Sequence, residues 1–165
     1  MSSAYRIGLN GSAKPKSRFG FVVGREFEVS YEVTNIDSRI FPGGTLTVAI
    51  SWPNGQSVVN SYNIPTLRPN ERWIVERNPN GTPITTASMA QGYGLFMAQM
   101  VDNSGNPVII ESPPGSIRNP PVSFYSILAK SPEEVYEKWA LIVAIIALFG
   151  TFIVGILQLL LEFGI

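Results

Sequence analysis

Three carboxylates that are two and four residues apart are the first residues of this chain whose type and placement could do chemistry. Glu26, Glu28 and Glu32 alternate with apolar residues, so on a β-strand they would share one face. Such a row could hold a cation or supply paired acids, although a glycosidase needs two carboxylates across a cleft. The same alternation is typical of the solvated face of a half-buried sheet, and we favour that interpretation.

A second candidate is the segment from Asp102 to Asn106, whose sequence DNSGN has the composition of a calcium loop. It lacks the spaced ligands and the closing glutamate of an EF-hand. Asp, Asn, Ser and Gly are also the residues that favour tight turns. The sequence therefore favours a hairpin turn here over a metal site.

A small basic cluster near the N-terminus is the third candidate. Lys14, Lys16 and Arg18 stand beside Phe19 and Phe21. In a domain tethered to a membrane, such residues could contact anionic lipid headgroups, at about 1 kcal/mol per charge near the surface. The alternative is an ordinary solvated loop.

Missing residue types exclude several classes of function. The 165 residues contain no Cys and no His, which excludes zinc fingers, iron–sulfur clusters, disulfide frameworks, cysteine proteases and Ser-His-Asp triads. Lys and Arg number 12, as do Asp and Glu, so the net charge is zero. A neutral chain is a poor nucleic-acid binder. We therefore expect no catalytic residues, no cofactor, no metal and no nucleic-acid partner.

An apolar run near the C-terminus is the strongest signal in the chain. Residues 139–161 carry no charge, and about 20 apolar residues suffice to cross a hydrocarbon core of ~30 Å. Ser131 and Pro132 precede the run in the order typical of a helix start. The sequence predicts a domain over 1–128 and, over 129–165, a juxtamembrane segment with one transmembrane helix.

Residues that flank the run suggest how the helix would sit in a bilayer. Tyr136, Lys138 and Trp139 suit the headgroup boundary. Lys130 and Lys138 precede the run and no Lys or Arg follows it, which favours a cytoplasmic N-terminal domain. No apolar signal segment is visible among the first 20 residues. We therefore expect a tail-anchored, single-pass membrane protein.

Small residues recur along one face of the predicted helix, where they could let a second helix approach closely. A span rich in Ala and Gly could also produce such a stripe by chance. The predicted partners are the lipid bilayer and either another membrane protein or a second copy of the chain. The predicted packing face consists of Ala140, Ala144, Ala147, Thr151 and Gly155.

The rest of the chain has a hydrophobic period of two, which predicts an all-β domain. Short strands at intervals of about 8–12 residues are typical of an antiparallel sandwich. Trp52 and Trp73 are predicted to anchor the core, with a partner-binding patch as the alternative. We expect a stiff, extended connector or sheet edge over 113–121, and seven or eight strands around Tyr5–Leu9, Phe27–Val33, Leu46–Trp52, Ser57–Ile64, Arg72–Glu76, Tyr93–Val101, Val108–Ile110 and Phe124–Leu128, the last being a strand or a linker.

Three short motifs resemble the immunoglobulin-like domains of the CARDB type. A strand after Gly24 ends in Val33-Thr34-Asn35, and residues 67–71 are similar to the family's Leu-x-Pro-Gly-Glu turn, with Asn70 in the glycine position. Residues 93–111 resemble its final hairpin. The resemblance covers roughly residues 20–112. It implies an immunoglobulin-like sandwich without catalytic activity, often extracellular and used in adhesion or as a spacer.

Two functions follow from these features. The first is a non-enzymatic membrane protein that presents an immunoglobulin-like domain for protein–protein interaction, as an adaptor or accessory subunit of a membrane complex. The alternative is a surface-exposed adhesive or structural protein with its domain outside the cell. Two glycosylation sequons, at Asn10 and Asn80, would fit the second function.

Overall fold

Alternating apolar residues form the strands of two β-sheets, and one long apolar helix follows them. The structure, a computed structural model, describes residues 4–78, 80–112, 117–118 and 122–163. The helix is α1 (Pro132–Phe163). The strands are β1 (Arg6–Pro15), β2 (Glu26–Asn35), β3 (Gly44–Ser51), β4 (Ser57–Ile64), β5 (Arg72–Val75), β6 (Thr85–Ala87), β7 (Gly92–Asp102), β8 (Ile109–Glu111), β9 (Ile117–Arg118) and β10 (Val122–Ala129).

The strands are arranged in two sheets that pack as a sandwich. One sheet has the order β5-β2-β1-β8-β9, with β6 also paired to β2, and the other has the order β10-β7-β3-β4. The predicted β-sandwich is therefore confirmed. Every strand pair is antiparallel except β1 with β8, which is parallel. The expectation of an antiparallel sandwich is wrong for this pair, because the chain turns back after β7 and then enters the other sheet, where β8 runs beside β1 in the same direction.

Ten strands replace the predicted seven or eight within the described residues. The two that were not predicted are β6 and β9, of three and two residues, which are too short to show a hydrophobic period. The end of the domain, which the sequence left as strand or linker, is the strand β10. Most of the segment 113–121, predicted as a connector or a sheet edge, lies outside the described residues, and its residues 117–118 form β9 at the end of its sheet.

Aromatic rings from both sheets meet in the core. The ring of Tyr31 in β2 lies 6.0 Å from that of Phe124 in β10, and Phe124 lies 6.2 Å from Phe96 in β7. A bulge between Ser123 and Tyr125 interrupts the register of β10 with β7, and both Phe124 and Tyr125 pack against the core. Gly11 makes room for this packing, since a Cβ there would stand 2.7 Å from the ring of Phe124.

Of the two tryptophans predicted to anchor the core, one is buried and the other is exposed. Trp52 is buried and lies over Gly94, where an added Cβ would come within 2.7 Å of its ring. Trp73 is 45% exposed, so its prediction as a core residue is wrong. It belongs to β5, a strand of four residues at the end of its sheet, where little protein is available to cover a large side chain.

A buried asparagine joins β2 to the turn of residues 67–71. Asn35 is fully buried, and its side-chain Nδ2 donates to the carbonyl oxygens of Arg39 at 2.8 Å and Leu67 at 3.0 Å. The backbone N–H of Asn70 donates to the carbonyl oxygen of Asn35 at 2.7 Å. Asn70 has a φ of 63°, the left-handed conformation that its glycine-like place in the turn motif predicts.

The helix begins where the sequence predicts. The Oγ of Ser131 accepts a hydrogen bond from the backbone N–H of Glu134 at 3.1 Å, which caps the first turn. The chain divides into two compact units, residues 1–130 and 131–165. Within the second unit, α1 includes all of the predicted span over 139–161.

Replacing Asn35 with Ala should lower the free energy of unfolding by about 2–3 kcal/mol, because the hydrogen bonds that its buried amide donates to the carbonyls of Arg39 and Leu67 are lost. Urea unfolding of the full chain in mild detergent, followed by tryptophan fluorescence, measures this loss. Asn63→Ala, at an exposed position of β4, is the matched control and should change stability by less than about 0.5 kcal/mol. Equal effects of both variants would contradict the role given to Asn35.

Candidate functional site

The residues from 16 to 25, which we call the basic loop, connect β1 to β2 and carry three cationic side chains. The Nζ of Lys16 donates to the Oε2 of Glu26 at 3.0 Å, so one acid partly offsets its charge. The guanidinium of Arg18 lies 4.9 Å from the centre of the Phe19 ring, a cation–π contact that holds it near an apolar surface. Arg25 is exposed near the end of the loop.

Backbone hydrogen bonds fix the basic loop to the last residue of the domain. The N–H of Val23 donates to the carbonyl of Lys130 at 3.0 Å, and the N–H of Lys130 donates to the carbonyl of Phe21 at 2.9 Å. Gly20 and Gly24 have φ values of 87° and 76°, which lets the loop turn tightly. The loop therefore lies beside the point at which the chain leaves the β-domain.

A concave surface of about 510 Å³ opens on this loop. Arg25 is a further cation at this site, and it lies too far along the sequence from the predicted cluster to be grouped with it. Lys14, the third predicted residue, lies instead on β1 opposite Glu28. The concave surface is lined by Lys16, Ser17, Arg18, Phe19, Gly24, Arg25 and Glu26.

The carboxylates of β2 lie on the outer face of the six-stranded sheet, among basic residues. Glu26 bonds to Lys16, and the Oε1 of Glu32 lies 3.2 Å from the Nη1 of Arg72. Within the described residues, no three His, Cys, Asp or Glu side chains are grouped as a metal site would require. The solvated-face interpretation of this row fits the structure.

A shallow depression of about 230 Å³ brings together Glu28 and Glu76, with Lys14 and Arg77 at its wall. Two carboxylates in one depression would be needed for acid–base hydrolysis. A general acid of that kind needs a desolvated carboxyl group, whereas the side chain of Glu76 is 61% exposed. The arrangement is more typical of a mixed-charge surface than of a catalytic cleft.

The segment after β7 forms the predicted turn. The Oδ1 of Asp102 accepts from the backbone N–H groups of Ser104 and Asn106, both at 2.8 Å. Gly105 has a φ of 80°, and its N–H donates to the carbonyl of Asp102 at 2.9 Å. The carboxylate is thus occupied in stabilising the turn.

The predicted packing face lies along α1. A shallow groove passes Thr151 and Gly155, where the side chains are small. The Oγ1 of Thr151 donates to the carbonyl of Leu148 at 2.8 Å, so its donor is used within the helix. Tyr136, Lys138 and Trp139, the predicted interface residues, lie exposed near the start of α1. Ala140, Ala144 and Ala147 continue the face toward this end.

Comparison with known proteins adds little to this description. No protein-family model matches the chain, and no curated protein matches it. One similar solved structure is described as the "Putative ApaA Protein" from Bordetella pertussis, at 13% identity and a TM-score of 0.44, covering 78% of this chain and 96% of that one. A Northeast Structural Genomics Consortium target is also similar, at 13% identity and a TM-score of 0.44, covering 80% of this chain and 92% of its own. Such values are too low to inform function.

Acid should destabilise the β-domain through Asp102 and Asp37. The backbone N–H of Asn106 is the main group that holds the pKa of Asp102 below its ordinary value, and the side chain of Arg39 does the same for the pKa of Asp37. A lowered folded-state pKa stabilises the fold above the unfolded pKa, near 4, and this contribution is lost as the pH falls further.

Urea unfolding at a series of pH values below about pH 5 tests this expectation. Asp102→Asn keeps an acceptor for the turn but cannot titrate, so its stability should fall less steeply on acidification than that of the unaltered chain. Glu76→Gln, at an exposed carboxylate, is the control and should follow the unaltered chain. A pH profile unchanged by Asp102→Asn would contradict the assignment.

Proposed function

We propose that this chain is a single-pass membrane protein without enzymatic activity, which presents its β-domain to other proteins as an adaptor or accessory subunit. The observation that carries the proposal is α1, whose segment Pro132–Glu162, of 31 residues, has a mean hydropathy of 2.9 in its most apolar part. It is the one helix among the described residues that is long and apolar enough to cross a membrane.

The length of α1 exceeds what a bilayer requires. At about 1.5 Å per residue, 31 residues span roughly 45 Å, against a hydrocarbon core of ~30 Å. Most of the excess corresponds to the first two turns, about 11 Å, which carry Glu133, Glu134, Glu137 and Lys138. These turns would remain in the headgroup region, with Tyr136 and Trp139 at the boundary.

The immunoglobulin-like type of the sandwich is part of this proposal, and the order of the strands supports it. Immunoglobulin domains pair strands A, B and E in one sheet and strands C, F and G in the other, with C′ beside C in the variable type. Here β1, β2 and β5 would correspond to A, B and E, and β3, β7 and β10 to C, F and G, with β4 as C′. The strands β8 and β9 depart from that pattern.

The cytoplasmic orientation of the domain rests on charge. Lys130 and Lys138 lie on the N-terminal side of the apolar run, and residues 139–163 contain no Lys or Arg. The alternative, a domain outside the cell, is supported by the position of the Asn80 sequon in an exposed turn. Protease treatment of intact cells separates the two, since digestion of the domain requires the outer orientation.

Membrane insertion should fail when the apolar run is interrupted by charge. Phe149→Lys combined with Val154→Lys places two cations near the middle of the run, at a cost of about 2.5–3.5 kcal/mol each. We expect the extracted full chain to float with liposomes, and the double variant to remain at the bottom of the gradient. Glu133→Lys, outside the run, is the control and should float. Flotation of the double variant would contradict insertion by α1.

The basic loop would contact anionic lipid headgroups, because it is fixed to Lys130, next to the start of α1 in the chain. Since the chain has no cysteine, Ser17→Cys introduces a single reactive thiol in the loop. In liposomes with phosphatidylserine, its reaction with a maleimide should be slower than in neutral liposomes.

Removing the charges should abolish this protection. Arg18→Gln with Arg25→Gln should remove most of the difference between the two kinds of liposome, because each charge contributes about 1 kcal/mol, or roughly a factor of five. Arg68→Gln, an exposed residue in the 67–71 turn, should leave the difference intact. Equal rates in both kinds of liposome for the chain with Arg18 and Arg25 would rule out the contact.

A further inference from the structure

We infer that β4 pairs edge to edge with β4 of a second copy of this chain, so that two four-stranded sheets join across a two-fold axis. The inference deepens the proposed function, because it names the partner as a second copy and relies on a shared membrane for strength. The inference rests on the observation that β4 is an unprotected edge strand.

β4 is a long and regular edge strand. Within the described part of the chain its one neighbour is β3, with which all eight of its residues pair in unbroken register. Its sequence SVVNSYNI contains no charge and no proline. Edge strands are usually protected from pairing by lysine, proline, a bulge or short length, and β4 has none of these.

Other edges of the two sheets are protected. β10, at the far end of the same sheet, contains the bulge between Ser123 and Tyr125. β5 has four residues and begins with Arg72, and β9 has two residues. The contrast indicates that the exposure of β4 is a specific feature and not a general property of this sandwich.

Two backbone hydrogen bonds show which groups of β4 face the free edge. The N–H of Trp52 donates to the carbonyl of Gln56 at 2.9 Å, and the N–H of Asn103 donates to the carbonyl of Gly43 at 3.0 Å. In antiparallel sheets, hydrogen-bonded pairs recur at every second residue. Even-numbered residues of β4 therefore bond to β3, and the groups that point to the free edge belong to Ser57, Val59, Ser61 and Asn63.

These groups define a symmetric register. When the sheet continues from one copy into the other, the outer faces of both copies lie on the same side. The residues whose backbone groups point to the free edge must then lie opposite one another across the axis. The register with the longest overlap centres on Asn60 and places Val59 opposite Ser61 of the second copy. It makes about eight backbone hydrogen bonds. A register centred on Ser61 would set Ser57 against Pro65, which has no N–H to donate.

The side chains of β4 suit pairing with themselves. On the inner face, Val58 would oppose Tyr62, a favourable pair of β-branched and aromatic residues. The two Asn60 amides would meet at the axis, where each can donate to the other. All three side chains are half-buried in the single chain, so they still have surface to cover. Every such contact occurs twice across the axis, which favours a second copy as the partner.

A single strand pair buries less than the roughly 1,000 Å² expected of a stable interface. The dimer should therefore be weak in free solution. Two copies anchored in one membrane share a plane, which raises their effective concentration. Dimerisation should accordingly fall as the ratio of lipid to protein rises.

Cysteine cross-linking tests the register directly, because the chain has no cysteine of its own. Asn60→Cys would place two Cα atoms about 4.5 Å apart, within the range of a disulfide. Ser57→Cys lies on the same strand, but in this register its own copy is about 20 Å away. In liposomes under copper-phenanthroline oxidation, the full chain with Asn60→Cys should form disulfide dimers at least tenfold faster than the full chain with Ser57→Cys.

Charge at the edge should abolish the dimer. Val59→Lys combined with Ser61→Lys, in the Asn60→Cys chain, sets like charges opposite each other across the axis and should slow cross-linking at least tenfold. Gln99→Lys is the matched control, because it adds a charge to an exposed position of β7 on the same face. It should leave the rate unchanged. Tryptophan fluorescence verifies that each variant is folded.

The inference is overturned if Asn60→Cys cross-links no faster than Ser57→Cys, or if the two lysines leave its rate unchanged. Flotation of every variant with liposomes keeps this outcome separate from the proposed function. Chains that float without cross-linking overturn the edge pairing alone. Chains that cross-link at residue 60 without floating overturn the membrane anchoring alone, and chains that do neither overturn both.

Discussion

Burial of one face of each sheet against the other is the interaction on which the rest of the β-domain depends. With no disulfide or metal site in the part of the chain that the structure describes, the domain relies on its apolar core and on hydrogen bonds within it. The rings of Tyr31, Phe96 and Phe124 connect the two sheets.

Buried polar groups then fix the parts of the chain that the apolar core does not specify. Asn35 ties the 67–71 turn to β2, and Arg6 in β1 pairs with the buried carboxylate of Glu111 in β8. The second pair lies where two strands run parallel, a geometry with slightly less stable pairing per residue. Each of these groups has its partner within the domain, so each specifies one arrangement of neighbouring segments.

The two proposed uses of the surface differ in physical character. The basic loop offers concentrated positive charge beside an apolar ring, which suits a headgroup boundary. β4 offers unpaired backbone groups and no charge, which suits another strand. The outer faces of the sheets repeat this contrast, because β2 carries Glu26, Glu28 and Glu32 while the outward residues of β4 are Ser, Val and Asn. A domain held at a membrane could use both features together.

Much of this architecture was predictable from the sequence, because hydrophobic period and turn chemistry are local properties. The period of two located β2, β3, β4 and β7, and Ser131 with Pro132 marked the start of α1. The left-handed Asn70 followed from its place in a turn motif. The sequence also grouped Lys14, Lys16 and Arg18 as a basic cluster, of which Lys16 and Arg18 line the concave surface of the basic loop.

The sequence did not reveal which face of some strands is buried. On β7 the alternate set that begins with Tyr93 contains Leu95 and Val101, yet these are exposed while Phe96 and Met100 are buried. Both alternate sets are largely apolar, so periodicity alone could not choose between them. Trp73 was misjudged for a similar reason, because hydrophobicity does not show that a residue lies at the end of a sheet.

By itself, the sequence determined the two-part organisation of this protein: a β-sandwich followed by a helix apolar enough to cross a membrane. Those features depend on residues close together in the chain. Only the tertiary structure decided the parallel pairing of β1 with β8, the place of Arg25 beside Lys16 and Arg18, and the free edge of β4. These depend on which distant segments meet, and that is determined by the closing of two sheets over one core.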